Sequence, residues 1–389
     1  MKVAVTVLVF CVAALLALGM VMLYSSSMAQ VGARYLFMQL VWCALGLLLC
    51  AAATLIDYRW LKLCAGPLLV VTVVLLVLVL VPHFSRPING ARRWFSFGLI
   101  RFQPSELAKM ALIIALAWYG ERFQRQMPNW KRGVLIPVLF IGLVLGPIFM
   151  EPDRGTTILL AGISGALLLV AGVRWKYIVP TVLLAVVAIG LSLWHDPMRS
   201  KRIFAWLNPE ENKSGVGYQS YEAMLALGAG GLTGLGLGNG RQKLGFVPEH
   251  HTDFILSIIG EELGLVATLL IVAGFVVIVI CGICIALNAP DTFGLLLGSG
   301  VAFLIGLQAL INIGVVTSAL PNKGLPLPFI SYGGSNLLIM LTSVGLLLSI
   351  ARQARGPHSL NGREAAESEP EEAGCQPAIQ PTVSRRYKC

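Results

Sequence analysis

Charge is scarce in this sequence. Only 12% of its 389 residues are Asp, Glu, Lys or Arg, against roughly 25% in an ordinary soluble domain. Hydrophobic residues make up 57%. So small a polar shell cannot cover that much apolar surface in water, which excludes a soluble globular class and leaves lipid as the solvent. A disulfide framework is also missing. Cys11, Cys43, Cys50, Cys64, Cys281 and Cys284 lie inside apolar runs, and Cys375 and Cys389 lie in a polar tail. The Cys281–Cys284 pair has the C-x-x-C spacing but no histidine nearby, so it reads as part of an apolar helix. No G-x-G-x-x-G and no P-loop pattern occurs; neither a nucleotide nor a haem is expected. The formal net charge of +10 is spread over short loops rather than gathered in a stripe. That pattern argues against nucleic acid and for anionic lipid headgroups. No internal repeat is evident, so an inverted-repeat transporter finds no support.

What the sequence does contain is long apolar runs. A bilayer core needs about 20 apolar residues per helix. Spans are predicted at Val3–Tyr24, Leu36–Ile56, Leu61–Val81, Pro104–Gly120, Val134–Met150, Thr156–Val173, Tyr177–Trp194, Phe254–Leu287, Thr292–Leu320 and Phe329–Ile350. Ser27-Met28-Ala29 resembles a signal-peptide cleavage site, but the apolar core before it is too long for an h-region, so the first span is read as a helix. The expected fold is an all-α polytopic bundle of about ten transmembrane helices, residues 1–355, with a large extracytoplasmic loop at 195–253 between helices 7 and 8. Residues 356–389 mix Glu, Pro, Ser and basic residues without apolar period and are expected to be a disordered cytoplasmic tail.

Lysine and arginine set the orientation. Arg59, Lys62, Arg122, Arg125, Lys131, Arg132, Arg174, Lys176, Arg352 and Arg355 fall on one side, assigned to the cytoplasm together with both termini. One short outer loop, 82–103, breaks the rule with Arg86, Arg92, Arg93 and Arg101. Lipid phosphates or carboxylates can balance it, or it can receive an anionic substrate.

Polar chemistry enters the membrane at four places. In Gln103-Pro104-Ser105-Glu106-Leu107-Ala108-Lys109, Glu106 and Lys109 share a helical face, with Lys109 only about 7 Å beyond Pro104. Ionisable groups at that depth face a partner or a cavity. Glu151-Pro152-Asp153-Arg154-Gly155-Thr156 joins two apolar helices; Asp153 suits a helix cap, whereas Glu151 follows directly on an apolar run. The glycine-rich run Gly228–Gly240 suggests close backbone approach or flexibility. It leads to Val247-Pro248-Glu249-His250-His251-Thr252-Asp253-Phe254, where Asp253 stands at the mouth of a long helix and reads either as an N-cap or as a general base. Glu261 and Glu262 lie two turns further on and imply a polar interior face. In the last hairpin, Gly333 and Gly334 read as packing residues after Pro326 and Pro328.

These segments, in order over nearly the whole membrane part, resemble the SEDS family of bacterial membrane proteins, the group of FtsW, RodA and SpoVE. The resemblance rests on Met22–Ser27, Asn89-Gly90-Ala91-Arg92-Arg93-Trp94, Gln103–Lys109, Glu151–Thr156, the glycine-rich run, Leu244–Phe254, Gly260-Glu261-Glu262-Leu263-Gly264 and Pro326–Gly334. The Gly238–Leu244 run and the Gly260-Glu261-Glu262 form are closer to the FtsW branch than to RodA. Arg154 stands where leucine is common, and Asn336 where serine is usual.

The resemblance implies a peptidoglycan glycosyltransferase that polymerises lipid II at the division septum. Implied partners are a class B penicillin-binding protein, other divisome proteins and membrane lipids. Asp253 matches the family's essential aspartate, which reverses the positional preference for a cap and makes it the candidate base. Lys109, Arg93, Arg92 and Arg101 are the candidate pyrophosphate contacts. Glu106, Trp94, Glu151, Asp153, Glu249 and His251 complete the candidate substrate site. A divalent cation, magnesium or manganese, is a candidate cofactor, with Glu106 as a ligand. A lipid II flippase and a non-catalytic divisome scaffold are the alternative readings.

Overall fold

The computed structural model describes residues 1–27, 32, 34–85, 91–97, 100–194, 203–207, 215, 217–244 and 251–354. Arg86, Glu249 and the 356–389 tail lie outside the described residues. The apolar runs form helices α1 (Lys2–Ser27), α2 (Arg34–Leu55), α3 (Leu61–Leu80), α4 (Pro104–Arg122), α5 (Ile136–Met150), α6 (Arg154–Val170), α7 (Trp175–Trp194), α8 (Tyr218–Gly230), α9 (Ile255–Leu287), α10 (Thr292–Val316) and α11 (Gly334–Gln353). A π-helical turn, Lys131–Leu135, leads into α5. All of these except α8 correspond to the ten predicted spans. Among the described residues, seven helical segments are long and apolar enough to cross a bilayer: Lys2–Ser27, Arg34–Leu55, Tyr58–Leu80, Lys131–Met150, Ile255–Leu287, Thr292–Val316 and Gly334–Gln353. The first of them packs against α9 and buries Leu8, Leu15 and Met22, as an integral helix of the bundle does.

The arrangement explains how charge is tolerated inside. α4 is buried along almost its whole length and touches α3, α5, α6, α10 and α11. Its polar residues therefore meet protein rather than lipid, the condition under which ionisable groups persist in a membrane. Small residues allow close approach elsewhere. α2 and α11 pack so tightly that a Cβ at Gly345 would stand 2.5 Å from the Cys50 carbonyl oxygen, and one at Gly334 would stand 2.2 Å from the Trp42 ring. The packing reading of Gly334 holds.

The structure corrects the bounds of two predicted spans and adds detail to two loops. The last two spans are shorter than the apolar runs: α10 stops at Val316 rather than Leu320, and α11 starts at Gly334 rather than Phe329. Pro321, Pro326 and Pro328 cannot donate to a helix, and buried Phe329 takes a left-handed φ of 65°. The outer loop 82–103 is not all irregular. Phe95–Phe97 (β1) and Ile100–Phe102 (β2) pair antiparallel, Phe95 opposite Phe102. The large loop carries a helix, α8, that packs against α9.

α9 is also interrupted. Gly264 has φ 80°, outside helical values. The carbonyls of Glu261 and Glu262 would ordinarily accept from Leu265 and Val266, four residues on. Instead they accept from the N–H groups of Leu235 and Gly236, at 3.0 Å each, while Leu265 and Val266 donate to Gly231 and Leu232 at 2.9 and 3.3 Å. The glycine-rich run thus fills a break in a helix and satisfies every backbone group the break exposes. Gly234 needs to be glycine on two counts: its φ is 80°, and a Cβ would stand 2.2 Å from the Glu262 carbonyl oxygen. Gly234→Ala is expected to lower stability by about 1–3 kcal/mol or more, measured as a lower unfolding temperature with faster amide exchange at Leu265 and Val266.

Candidate active site

The buried polar residues of the bundle form connected networks. At the start of α4, Lys109 Nζ donates to Glu106 Oε1 at 2.8 Å and to Gln308 Oε1 at 2.9 Å. Gln308 then donates to the Pro326 carbonyl and to Asn336 Oδ1, each at 2.9 Å. One helical turn away on α10, Asn312 donates to the carbonyls of Asp253 (2.8 Å) and Leu325 (2.7 Å). Gln308 and Asn312 hold the extended segment between α10 and α11 as a shelf against α4 and α9. Sequence reasoning missed both, although two carboxamides four apart in an apolar run were a readable signal of a shared inward face.

Asp253 sits on that shelf. Phe254, not Asp253, occupies the N-cap of α9, and no side-chain cap bond is made there. The positional reading of Asp253 as a helix cap is therefore corrected. The backbone around Asp253 is fixed from three directions: Ser331 Oγ donates to the Thr252 carbonyl at 2.6 Å, Tyr332 N–H donates to the His251 carbonyl at 3.0 Å, and Asn312 holds Asp253 itself. The carboxylate lies against Gly324, where a Cβ would stand 3.0 Å from Asp253 Oδ2. His251 stacks on Tyr35, with ring centroids 4.7 Å apart, and meets Tyr332 at 5.9 Å. Gln39 reaches the same segment, donating to the Ser331 carbonyl at 3.2 Å. Asp253, Thr252 and His251 are partly exposed.

The cationic hairpin is tied to this shelf. Ser335 of α11 donates to the Arg101 carbonyl at 3.2 Å and accepts from Gln103 N–H at 3.3 Å. Burial raises the Tyr332 phenol, Tyr35 adds to the rise, and the Arg101 charge opposes it; Arg101 thus acts on the ring that neighbours His251. Arg101 is exposed, and Arg92 and Trp94 are partly exposed. Arg93 is partly exposed as well, but its guanidinium is engaged, donating to the carbonyls of Glu151 (2.9 Å) and Pro152 (2.6 Å). It clamps the α5–α6 turn.

At that turn Asp153 is the N-cap of α6, accepting from Thr156 N–H at 3.1 Å and from Thr156 Oγ1 at 2.9 Å. It also accepts from Gln103 at 3.4 Å. Glu151 is fully buried, and among the described residues neither carboxylate oxygen has a hydrogen-bond partner. Burial first, then the Asp153 charge, raises its pKa to about 8, with Arg93 opposing. A carboxyl whose folded pKa is raised binds its proton more tightly in the folded state, so stability falls as pH climbs from about 4.5 to 8. Glu151→Gln removes that penalty. The variant is expected to melt at a higher temperature than the parent at pH 9 and at the same temperature below pH 4.

Glu261 and Glu262 are held by protein partners. Glu262 accepts from Lys243 Nζ at 2.6 Å, from Ser25 Oγ at 2.7 and 2.9 Å, and from Gly238 N–H at 3.0 Å. Glu261 accepts from Arg241 N–H at 2.7 Å. Both secure the inserted glycine-rich run. As for a metal, Glu106 gives one oxygen to an ammonium that would repel a cation, and among the described residues no three His, Cys, Asp or Glu gather. The donor set does not fit a divalent-cation site there.

Glu106 and Lys109 have almost no exposed surface, 3% and 0%. Asp253 and His251 on the shelf and Arg92, Arg93 and Trp94 before the hairpin are partly exposed, and Arg101 on it is exposed. The family model for FtsW, RodA and SpoVE, described as cell cycle protein, matches residues 6–356. The chain belongs to this family. Among similar family members, the probable peptidoglycan glycosyltransferase FtsW of Trichlorobacter lovleyi is 40% identical over 351 residues, 89% of this chain and 92% of the relative. Stage V sporulation protein E of Bacillus subtilis is 39% identical over 353 residues, 88% and 95% respectively. Of solved structures, one chain of a peptidoglycan synthase complex, studied for the coordination of polymerization and crosslinking, superposes with a TM-score of 0.76 at 31% identity, covering 90% of this chain and 97% of that one. RodA of Thermus thermophilus gives 0.67 at 30% identity with the same coverage. This FtsW/RodA/SpoVE chain is thus an integral membrane protein with the family's helical fold.

Proposed function

We propose that this chain is a peptidoglycan glycosyltransferase that polymerises lipid II into glycan strands at the division septum. Its relatives named as glycosyltransferases support the reaction class, and the fixed backbone of residues 251–253 supports Asp253 as the base. General base catalysis needs a carboxylate held still at the mouth of a cavity. Here Ser331 and Tyr332 of one segment and Asn312 of α10 hold the backbone that carries one. In this reading Asp253 takes the proton from the acceptor hydroxyl as it attacks the donor's anomeric carbon, with inversion. The lipid pyrophosphate departs toward Arg101 and Arg92, whose guanidinium groups can hold phosphate oxygens bidentately. Trp94 rests at the membrane interface against lipid or glycan. His251, stacked on Tyr35 with Tyr332 beside both rings, anchors the start of this backbone.

Lys109, Glu106, Arg93 and Asp153 act through structure: the first two brace the shelf through Gln308, and the others hold the α5–α6 turn beside the hairpin. Both termini and the basic end of the bundle face the cytoplasm, and the hairpin faces outward. The likeness to a chain of a peptidoglycan synthase complex supports a penicillin-binding protein as partner.

Purified protein with its partner, reconstituted in vesicles, tests the reading against transport. Lipid II supplied only on the hairpin side is expected to yield polymer. Translocation of lipid II without polymer would support a flippase instead.

A further inference from the structure

The end of the bundle opposite Asp253 carries a second polar assembly that glycosyl transfer does not use. α4 ends there at Arg122, and the chain passes through Trp130 into the π-helical turn Lys131–Leu135. Gln126, Asn129, Trp130, Lys131 and Arg132 line a groove of about 570 Å³. Arg132 is held in place. Its guanidinium donates to the Gln126 side-chain oxygen and lies over the Phe123 ring at 5.2 Å, and its carbonyl accepts from Tyr119 Oη at 2.7 Å. The α6–α7 turn repeats the residue combination as Arg174-Trp175-Lys176. The two turns are neighbours, because a Cβ at Gly133 would stand 3.4 Å from Val173 Cγ2. Trp130 and Trp175 are 50% and 67% exposed. Arg122, Arg125, Lys131, Arg132, Arg174 and Lys176 therefore share one rim with two tryptophans.

Nothing in these segments balances that charge. The sequence has no Asp or Glu from Arg122 to Met150, and none from Arg154 to Trp194. Glu121, the nearest acid along the chain, is bound to Lys62 at 2.7 Å, and Asp291 is shared by Lys62 (3.2 Å) and Arg59 (3.3 Å). Lysine and arginine at the headgroup level gain about 1 kcal/mol each from an anionic membrane surface, and tryptophan favours that depth. Directly along α5 from the groove, Leu135, Val138 and Leu139 present exposed apolar surface for acyl chains.

We infer that this rim binds the phosphate of an anionic phospholipid, with the headgroup in the groove between Gln126 and Arg132. Arg132 supplies the planar, preset donor and Lys131 a point charge. Gln126 and Asn129 offer polar groups to headgroup hydroxyls. Trp130 and the α5 surface below it select a lipid over a free phosphate ion. The inference does not depend on the proposed activity.

The test uses the full-length chain in detergent, with bound lipid counted by native mass spectrometry during titration with phosphatidylglycerol, phosphatidylcholine or inorganic phosphate. Phosphatidylglycerol is expected to be retained over phosphatidylcholine. Lys131→Gln/Arg132→Gln is expected to weaken retention about thirtyfold, as two such charges would. Arg59→Gln/Arg352→Gln, the same charge change at the same end, is expected to retain the lipid like the parent. Should the first double variant fail to fold, exposed Asn129→Glu places a carboxylate in the groove and is expected to expel the lipid. Equal retention by the groove variants and the parent would overturn the site, as would an equal loss in the Arg59/Arg352 control. Displacement of phosphatidylglycerol by inorganic phosphate at matched concentration would reduce it to a simple anion site.

Discussion

Replacing Asp253 by alanine is expected to cut glycan polymerisation from lipid II at least about a hundredfold, the low end of what a positioned general base contributes. The fold is expected to survive. The Asp253 carbonyl, which receives the Asn312 bond, is backbone and remains in the variant. The Thr252 and His251 carbonyls keep their Ser331 and Tyr332 partners as well. Purified variant and parent are compared with the same partner and lipid II, with polymer length read on gels and unfolding temperature as the control. Unchanged polymer synthesis would remove Asp253 from the mechanism. Asp253→Glu sharpens the result. Its carboxylate reaches one methylene further, toward a space already closed by Gly324, so partial activity at most is expected. A scaffold that only recruits its partner would tolerate both substitutions.

The second large effect concerns stability. Lys109→Met leaves Glu106 buried beside an apolar side chain. Removing one partner of a buried pair costs roughly 3–5 kcal/mol. The cost is not recovered nearby: Glu106 Oε2 already lacks a hydrogen-bond partner, and Gln308 loses the donor to its Oε1. Thermal unfolding in detergent or nanodiscs is expected to show a large fall for Lys109→Met and a much smaller one for Glu106→Gln/Lys109→Met. A single variant as stable as the parent would mean that water or lipid reaches the pair. The double variant also separates roles. If Lys109 only braces the shelf, the stable double variant is expected to recover polymerisation along with stability.

The membrane helices were legible because lipid imposes a simple rule on sequence, a run of apolar residues about as long as the bilayer is thick. The rule fails where backbone partners override composition. The apolar run after Val316 does not remain helical, since the segment that follows is bonded through its carbonyls to Gln308 and Asn312. The candidate residues were legible as a set of polar intrusions, but their grouping was not. Arg93 and Arg92 are adjacent in sequence and both partly exposed, yet it is Arg93 that binds the Glu151 and Pro152 carbonyls. Glu262 read only as part of a polar interior face. Its partners are Lys243 and Ser25, one upstream in a loop and one on α1, which spacing along the sequence cannot connect.

The break in α9 has a consequence for how this chain can change. Gly231 and Leu232 pair with Leu265 and Val266, and Leu235 and Gly236 pair with Glu261 and Glu262. Only residues 233 and 234 separate the two sets. Adding or deleting a single residue at 233 or 234 would put one set out of step with the other. Such a change would pull one set of loop groups away from the backbone partners it meets in the break. Most surface loops vary freely in length; this one is metered like a thread in a screw. Length variation in the large loop is therefore expected to collect before α8, among 195–217, and to be purged between Gly231 and Gly236, a pattern that an insertion scan scored for folded protein would reveal.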